Sequence, residues 1–349
     1  MYRKIMSFLE AWKDSEHRKP LILQGARQVG KTYSILEFGR TCYENVAYFN
    51  FETNPKLNET FEENISPDYL IPILSHIAGQ TIVKEKTLIV FDEVQLCERA
   101  LTSLKYFCED APDYHIIVAG SLLGVAVNRA KFSFPVGKVD MKTLYPMDME
   151  EFMIACGESA LVEQIKKCFA EDKPLPSALH DAAMQLYRQY LIVGGMPECV
   201  MQFVETKDYI LVRHTQDTIL ASYLNDMSKY NNLNEIKKTR LAYDNITVQL
   251  SKKNTRFQYK LIKKGGRASE FENAIEWLCL SGIVSQVYKV EQVKKPLENY
   301  RNIDAFKIYV SDLGLLCAKK DLAANDVLYM VEEINDFKGG MAENYVNVQ

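Results

Sequence analysis

Short apolar runs alternate with longer amphipathic stretches through residues 1–147. The run LIVF at 88–91 is continuously apolar, as in a parallel strand buried on both faces. The stretch ERALTSLKYFCED places Leu101, Leu104 and Phe107 at helical spacing. Strands that alternate with helices predict an α/β fold built on a doubly wound parallel sheet. Its predicted strands cover residues 21–23, 46–51, 88–91, 115–121 and 139–144.

From residue 148 onward the pattern becomes largely helical. Asp148, with Glu151 three residues later, predicts a capping box at the start of a helix. We expect residues 148–232 to form a helical lid and a bridge to the next domain. The segment GGMP at 194–197 predicts an interhelical turn, and a functional hinge is the alternative.

Residues 233–318 have the pattern of a winged helix, in which helices are followed by a hairpin. Ser269 and Glu272 predict a capping box before an apolar helical face, and Gly282 is expected to end that helix. Two strands, 283–290 and 306–310, then flank a long polar loop. We expect residues 319–349 to be the start of a further module, because the segment GGMAENYVNVQ at 339–349 begins an amphipathic pattern without a cap or a closing apolar face.

Composition and charge narrow the class of protein. With 349 residues and 47% hydrophobic content, the chain can bury the cores of two or three domains. The eight cysteines form no CxxC pair and the five histidines are scattered, which argues against a metal site built from Cys and His and predicts reduced thiols and a cytoplasmic location. No stretch approaches the roughly 18 apolar residues of a membrane span, so we expect no membrane partner.

The segment GARQVGKTY directly follows the first apolar run. Gly25 and Gly30 allow the backbone N–H groups to face a polyphosphate at the start of the next helix. Lys31 is expected to reach the terminal phosphates, and Thr32 to place its hydroxyl on magnesium. An ordinary glycine-bearing loop is the alternative reading. The predicted nucleotide contacts are Gly25, Ala26, Arg27, Gln28, Val29, Gly30, Lys31, Thr32 and Tyr33.

Polar residues follow two of the other predicted strands. Ligands of open α/β sheets lie at the carboxyl ends of strands, where Asp92 and Glu93 are expected. Asp92 suits a magnesium ion, and Glu93 suits the polarisation of an attacking water, which favours hydrolysis over transfer to a hydroxyl. Ser121 is expected to contact the γ-phosphate or the water, with a simple helix cap as the alternative. The chain has neither an NKxD motif, as in a GTPase, nor an LSGGQ-like stretch, as in a transporter ATPase.

Several motifs together resemble a family of prokaryotic AAA-type (AAA+) ATPases in which a domain of unknown function follows the ATPase core. They are GARQVGKT, FDEVQ, AGSLLG, FPVGKVDMKTLYPMDMEEF and YLIVGGMPECV, followed by FQYKLIKKGGRASEFENAIEWL and FKIYVSDLGLL. The resemblance covers nearly the whole chain. It implies ATP rather than GTP, an AAA-type sheet and a helical lid.

Two departures qualify this resemblance: the residues before the fifth strand and the end of the chain. Where many relatives have glycine followed by arginine before the fifth strand, this chain has Gly137-Lys138, and lysine lacks the guanidinium fork. Lys138 and Arg129 are therefore weak candidates for an arginine-finger role. Related proteins continue with a restriction-endonuclease-like module, in which Glu343 would match a glutamate of the first helix. The other metal-binding and lysine positions do not occur here, so we predict no nuclease activity for these residues.

A basic segment lies within the predicted winged helix. Between 252 and 267 the chain has seven basic side chains and no acid, although its net charge is −4. Such a segment is typical of phosphate contacts and favours duplex DNA as a partner. Glu270, Glu272 and Glu276 on the following helix argue for a solvated face or a protein-docking surface instead. The candidate DNA contacts are Lys252, Lys253, Arg256, Lys260, Lys263, Lys264 and Arg267.

Two functions follow from these patterns. The first is an ATP-hydrolysing switch that uses Mg²⁺, with Lys31, Glu93 and Ser121 as catalytic residues, and that acts on DNA through the winged helix. The second is an ATP-binding module that hydrolyses slowly or not at all and works as an interaction protein. Self-association is compatible with either function. The Asp92-Glu93 pair favours the first.

Overall fold

The computed structural model of the chain describes residues 1–121, 134–229, 233–252 and 256–349. These residues form two compact units. One comprises Arg3–Tyr145, and the other comprises Pro146–Gln349 together with Met1–Tyr2. None of the described helices combines the length and apolar character needed to cross a bilayer.

The first unit contains a five-stranded sheet in which all neighbouring strands are parallel, in the order β2-β3-β4-β1-β5. Every residue of β3 and β4 is buried, which accounts for the apolar runs at 88–91 and 116–119. The predicted parallel sheet and its five strands are therefore confirmed. The strands are β1 (Leu21–Gln24), β2 (Asn45–Asn50), β3 (Thr87–Asp92), β4 (His115–Gly120) and β5 (Asp140–Thr143).

Helices pack on this sheet through aromatic and glycine contacts. The rings of Phe51, Phe61 and Phe91 lie 5.5–5.9 Å apart in pairs. Gly39 lies in the helix Lys31–Cys42. A Cβ at this position would lie 2.5 Å from Cγ2 of Val46, so the glycine lets the helix approach β2 closely. The helices are α1 (Ile5–Lys13), α2 (Lys31–Cys42), α3 (Leu57–Glu63), α4 (Pro67–Ala78) and α5 (Glu98–Asp110).

The second unit is mainly helical, with an antiparallel pair of strands. The strands are β6 (Val284–Val290) and β7 (Arg301–Val310), close to the two predicted around a polar loop. The helices are α6 (Met149–Ala155), α7 (Ser159–Ala170), α8 (Ser177–Val193), α9 (Pro197–Thr206), α10 (Tyr209–Lys229), α11 (Leu233–Leu250), α12 (Tyr259–Ile262), α13 (Ala268–Leu280), α14 (Leu313–Lys319), α15 (Ala324–Leu328) and α16 (Asn335–Val348).

Two helix starts in this unit test the predicted capping boxes. At α6 the Glu151 N–H donates to Asp148 Oδ1 over 2.9 Å and the Asp148 N–H donates to Glu151 Oε2 over 3.2 Å, which confirms the first box. The second is wrong, because α13 begins at Ala268 after Arg267 and has no side-chain cap. Ser269 lies inside the helix, so its hydroxyl cannot take the N-cap position.

The GGMP segment joins α8 to α9 and lies against a buried carboxylate. Asp312 accepts hydrogen bonds from the N–H of Gly195 over 2.6 Å and of Leu315 over 2.8 Å. A Cβ on Gly195 would lie 1.9 Å from the carbonyl oxygen of Met147, and Gly194 has a φ of +74°. Glycine is therefore required at both positions. We call this arrangement the Asp312 clamp.

The helix α16 packs against β7, α11 and α14 within the second unit. Its Asn344 side chain bonds both the N–H and the C=O of Val310, over 2.9 and 2.8 Å. Phe337, Met341 and Asn344 are buried on the same helix. Lys307 forms an ion pair of 2.6 Å with Glu343.

Candidate nucleotide site

The predicted phosphate loop, residues 25–30, lies between β1 and α2 and turns on two glycines. Gly25 has a φ of +148°, and a Cβ there would lie 2.2 Å from the carbonyl oxygen of Leu144. Gly30 has a φ of +89° and directly precedes α2, which begins at Lys31. The loop thus ends at a helix N-terminus, where backbone N–H groups and the helix dipole favour anions.

Lys31 is folded back onto this loop. Its ammonium donates to the carbonyl oxygens of Gly25 over 2.9 Å and Ala26 over 2.8 Å, and the residue is 7% exposed. Burial lowers the pKa of Lys31 to about 8, although the nearby Glu93 and Asp92 carboxylates oppose the shift. A buried cation that bonds only neutral carbonyls is suited to exchange them for phosphate oxygens.

Asp92, at the end of β3, is the acceptor on which this site converges. Its Oδ2 atom accepts the hydroxyl of Thr32 over 2.8 Å and the hydroxyl of Tyr48 over 2.7 Å. Its Oδ1 atom accepts the N–H of Glu93 over 2.9 Å. Three donors therefore hold the two oxygens of this carboxylate in one orientation.

Glu93 follows Asp92 in a strained backbone conformation. Its φ of +51° is in the left-handed region. This conformation is uncommon for a residue with a side chain, and strained residues of this kind often occur at functional sites. Burial raises the pKa of Glu93, while a hydrogen bond that its carboxylate accepts from Gln95 Nε2 lowers it. A raised pKa suits a general base that works near neutral pH.

The sheet order brings the predicted residues to one edge. β4 lies between β1 and β3, so its carboxyl end lies between those that carry Gly25 and Asp92. Ser121 follows that end of β4 and is 7% exposed. Sequence reasoning therefore named residues that the fold assembles at the same edge of the sheet.

Other residues of the site were not predicted from the sequence. Tyr48 lies on β2, which pairs with β3, and Asn50 donates to its hydroxyl oxygen over 3.2 Å. Arg3 donates to the carbonyl oxygens of Val29 over 3.0 Å and Tyr145 over 2.8 Å, so it braces the phosphate loop. The polar end of β2 could have indicated from the sequence that Tyr48 lies near the site. No feature of the sequence around Arg3 indicates its role.

Of the two arginine-finger candidates, Lys138 is among the described residues. Lys138 forms an ion pair of 2.8 Å with Glu109 in the same unit, so its ammonium already has a carboxylate partner. Arg129 lies outside the described residues.

The described lysines and arginines of the basic segment are all exposed, and Lys253 lies outside the described residues. Lys263 forms an ion pair of 3.0 Å with Glu270, so its positive charge is partly compensated. Lys252 and Arg256 line a cleft of about 270 Å³, which Lys307 and Glu343 also line. The exposed members are Lys252, Arg256, Lys260, Lys263, Lys264 and Arg267.

Comparisons with known families and structures agree with this geometry. Residues 17–153 match the family model described as AAA domain, and residues 184–326 match a domain of unknown function (DUF8612). No curated protein matches the chain. Among solved structures, the chain is similar to the Walker-type ATPase PABY2304 of Pyrococcus abyssi, with 13% identity over 91% of this chain and 95% of that chain and a TM-score of 0.55.

Two further structures are more distant. The ORC2 protein of Aeropyrum pernix is 13% identical over 98% of this chain and 95% of that chain, with a TM-score of 0.41. The RuvB Holliday junction branch migration motor of Thermotoga maritima is 14% identical over 81% of this chain and 87% of that chain, with a TM-score of 0.34. Both TM-scores are below 0.5, and the Pyrococcus structure bears on the fold alone. The match at residues 17–153 agrees with the parallel sheet, and together they show the α/β fold of a P-loop ATPase in this part of the chain.

Proposed function

We propose that this chain binds ATP with magnesium and hydrolyses it to ADP and phosphate. The observation that carries the proposal is the 2.8 Å hydrogen bond from Thr32 Oγ1 to Asp92 Oδ2. It joins the end of the phosphate loop to the carboxylate at the end of β3, and Glu93 follows directly. A metal-binding hydroxyl, its carboxylate partner and a base thus stand beside one phosphate loop.

The residues present fit magnesium rather than a metal held by the protein alone. Among the described residues no group of three or more His, Cys, Asp or Glu side chains is placed to hold a metal ion. Magnesium prefers one or two carboxylates together with substrate phosphates and water. Thr32 and Asp92 would hold it, and the ion would neutralise charge on the phosphates when bound.

The remaining residues have separate tasks in this proposal. Lys31 exchanges the carbonyl oxygens of Gly25 and Ala26 for the terminal phosphates, which carry full negative charge. Glu93 accepts a proton from the attacking water, and the raised pKa of its carboxyl supports that role. Ser121, at the end of β4, orients the γ-phosphate or the water.

Two substitutions separate binding from hydrolysis. Lys31→Ala should lose ATP binding, because charge compensation of the phosphates is removed. Glu93→Gln should bind ATP and retain it, with phosphate release slowed by roughly 10² to 10⁴, the usual contribution of a general base. Glu44→Gln is a matched control, since Glu44 is an exposed partner of Lys86 near the opposite end of β2. Wild-type turnover by the Glu93→Gln protein would exclude Glu93 as the base.

A second candidate is a nucleotide-binding module that hydrolyses slowly or not at all and acts through protein contacts. The ion pair between Lys138 and Glu109 favours it, because an arginine finger contributes about 10³ to 10⁵ in rate and Lys138 is already engaged. Tight ATP binding by the wild-type protein without phosphate release, across a range of protein concentrations, would support this candidate instead.

We also propose that the basic segment contacts duplex DNA. Its support is the exposure of Lys252, Lys260 and Lys264 beside helices and a hairpin in the order of a winged helix. The ion pair between Lys263 and Glu270 weakens the local positive charge and favours a protein partner. ATP turnover measured with and without duplex DNA would link this surface to the proposed ATPase.

A further inference from the structure

Tyr48 connects the second strand of the sheet to the magnesium carboxylate. It lies on β2 and donates its hydroxyl proton to Asp92 Oδ2 over 2.7 Å. The same hydroxyl oxygen accepts a hydrogen bond from Asn50 Nδ2 over 3.2 Å. A hydroxyl that accepts from one neighbour directs its proton to the other, so Asn50 helps to orient this donor towards Asp92.

Three donors fix the orientation of the Asp92 carboxylate. Thr32 and Tyr48 both donate to Oδ2, and the N–H of Glu93 donates to Oδ1. If Thr32 holds magnesium, its hydrogen bond to Asp92 would change, because the hydroxyl oxygen would also bind the ion. Tyr48 would not, since nothing in the proposed chemistry requires its hydroxyl elsewhere. It can therefore hold the carboxylate in place both before and after the ion binds.

Tyr48 is only partly buried. The residue is 37% exposed, so its role does not depend on filling the core.

We infer that Tyr48 is a positioning residue for the magnesium site, which it serves by holding Asp92 in the orientation that faces the ion. The inference rests on the proposed function, in which Asp92 and Thr32 hold magnesium beside ATP. Without this charge-assisted donor the carboxylate is less well ordered in the free protein, so binding of the ion would have to include the cost of ordering it. Magnesium should then bind more weakly, while the chemistry at saturating magnesium is little changed.

Tyr48→Phe removes the hydroxyl and keeps the ring. Tyr43→Phe is the matched control, because the Tyr43 hydroxyl also makes a 2.7 Å hydrogen bond, to His115 Nδ1, near the other end of the sheet. Free Mg²⁺ is titrated at fixed nucleotide, with a fluorescent ATP analogue to report binding and phosphate release to report turnover. Tyr48→Phe should raise the Mg²⁺ midpoint roughly tenfold, the scale of a hydrogen bond to a charged group, and Tyr43→Phe should not move it.

Tyr48→Leu separates the ring from the hydroxyl. It should show the same Mg²⁺ midpoint as Tyr48→Phe, with lower thermal stability because the ring is lost. A midpoint that is unchanged in Tyr48→Phe and raised only in Tyr48→Leu would assign the effect to packing and overturn the inference. A lower midpoint in Tyr48→Phe would also overturn it, because the hydroxyl would then compete with the ion.

These measurements distinguish this inference from the proposed function. If the wild-type protein binds nucleotide in a magnesium-dependent way but releases no phosphate, hydrolysis fails as a proposal while the shifted midpoint still supports Tyr48. If neither nucleotide binding nor phosphate release by the wild-type protein depends on Mg²⁺, both fail together. Normal turnover with an unshifted midpoint in Tyr48→Phe removes the role of Tyr48 and leaves the ATPase intact.

Discussion

Asp92 in the first unit and Asp312 in the second are both buried, and the hydroxyl donors of Asp92 distinguish the two. Asp92 in the first unit accepts hydroxyls from Thr32 and Tyr48, and it stands at the end of a strand. Asp312 in the second unit accepts backbone N–H groups from Gly195 and Leu315, and it caps α14. A hydroxyl can turn and offer its oxygen to a metal ion, whereas a backbone N–H is only a donor.

The pKa values show why burial alone does not identify a site. Burial raises the pKa of Asp312 to about 6 even though four backbone N–H groups lower it. A search for perturbed acids would therefore select Asp312 as readily as a catalytic residue. Its oxygens are occupied by main chain, so we assign it to the structure of the second unit and not to catalysis.

The largest effect that would test this contrast is expected at Gly195. A Cβ there would lie 1.9 Å from the carbonyl oxygen of Met147, and the N–H of the same residue donates to Asp312. Gly195→Ala should cost more than about 4 kcal/mol of unfolding free energy, the scale of severe overpacking together with a broken buried network, or prevent folding. Chemical denaturation followed by circular dichroism measures it.

Gly339 provides the control for that prediction. It lies inside α16, and a Cβ there would have no atom within 4 Å among the described residues. Gly339→Ala should stabilise the protein by up to about 1 kcal/mol, because alanine loses less backbone entropy in a helix. Equal stabilities for the Gly195→Ala and Gly339→Ala proteins would contradict the Asp312 clamp as a tight structural element.

The next prediction concerns Lys31 and the pH dependence of nucleotide binding. In the free protein its pKa is lowered to about 8, so the ammonium loses its proton as the pH rises above that value. Bound phosphate should raise the pKa again, so binding takes up a proton at high pH. Affinity should therefore fall, by up to about tenfold per pH unit above 8. Isothermal titration in buffers of different ionisation enthalpy measures the uptake.

The control for Lys31 is the Lys31→Arg protein, whose guanidinium stays charged at these pH values. If it binds nucleotide, its affinity should be level between about pH 7 and 9.5. An affinity of the wild-type protein that does not change over the same range would mean that Lys31 is fully protonated in the free site. The contact with the carbonyl oxygens of Gly25 and Ala26 would then be tighter than its burial indicates.

The parts of the first unit that were predicted are local in the sequence. The phosphate loop is one continuous segment, and β3 is a buried run that ends in two acids. Tyr48 and Arg3 were missed because their roles depend on which strands are neighbours. Alternation along the chain indicates a sheet, but it does not give the order β2-β3-β4-β1-β5.

In the second unit the missing information is longer in range. Gly195 and Asp312 are 117 residues apart, and nothing near either one indicates the other. The Ser269 cap failed for a different reason, because the backbone at Arg267 and not the type of residue decides where α13 begins. Asp148 succeeded since its capping box is complete within four residues.

A smaller effect is expected at Gln95. Its amide donates to the Glu93 carboxylate and lowers a pKa that burial raises. Gln95→Leu removes the donor, so the pKa of Glu93 should rise further and the base should lose its charge at a higher pH. The acid limb of the kcat profile should move up by about one unit, with roughly tenfold lower turnover below it and little change at about pH 8. A drop that is equal at all pH values would show misfolding instead.

The smallest effect is expected at the basic segment of the second unit, and it tests whether that segment binds duplex DNA. Replacing Lys252, Lys260 and Lys264 with glutamine should reduce the slope of log affinity against log salt for duplex DNA by about 0.9 for each phosphate that is no longer neutralised. Lys263→Gln should change it less, because that ammonium already pairs with Glu270 at 3.0 Å. The weakening should be similar on unrelated duplexes, since contacts to phosphate have no sequence preference. If the wild-type protein shows no salt-dependent binding with or without ATP, the segment is a solvated face or a protein-docking surface, and the interaction-module function becomes the better account.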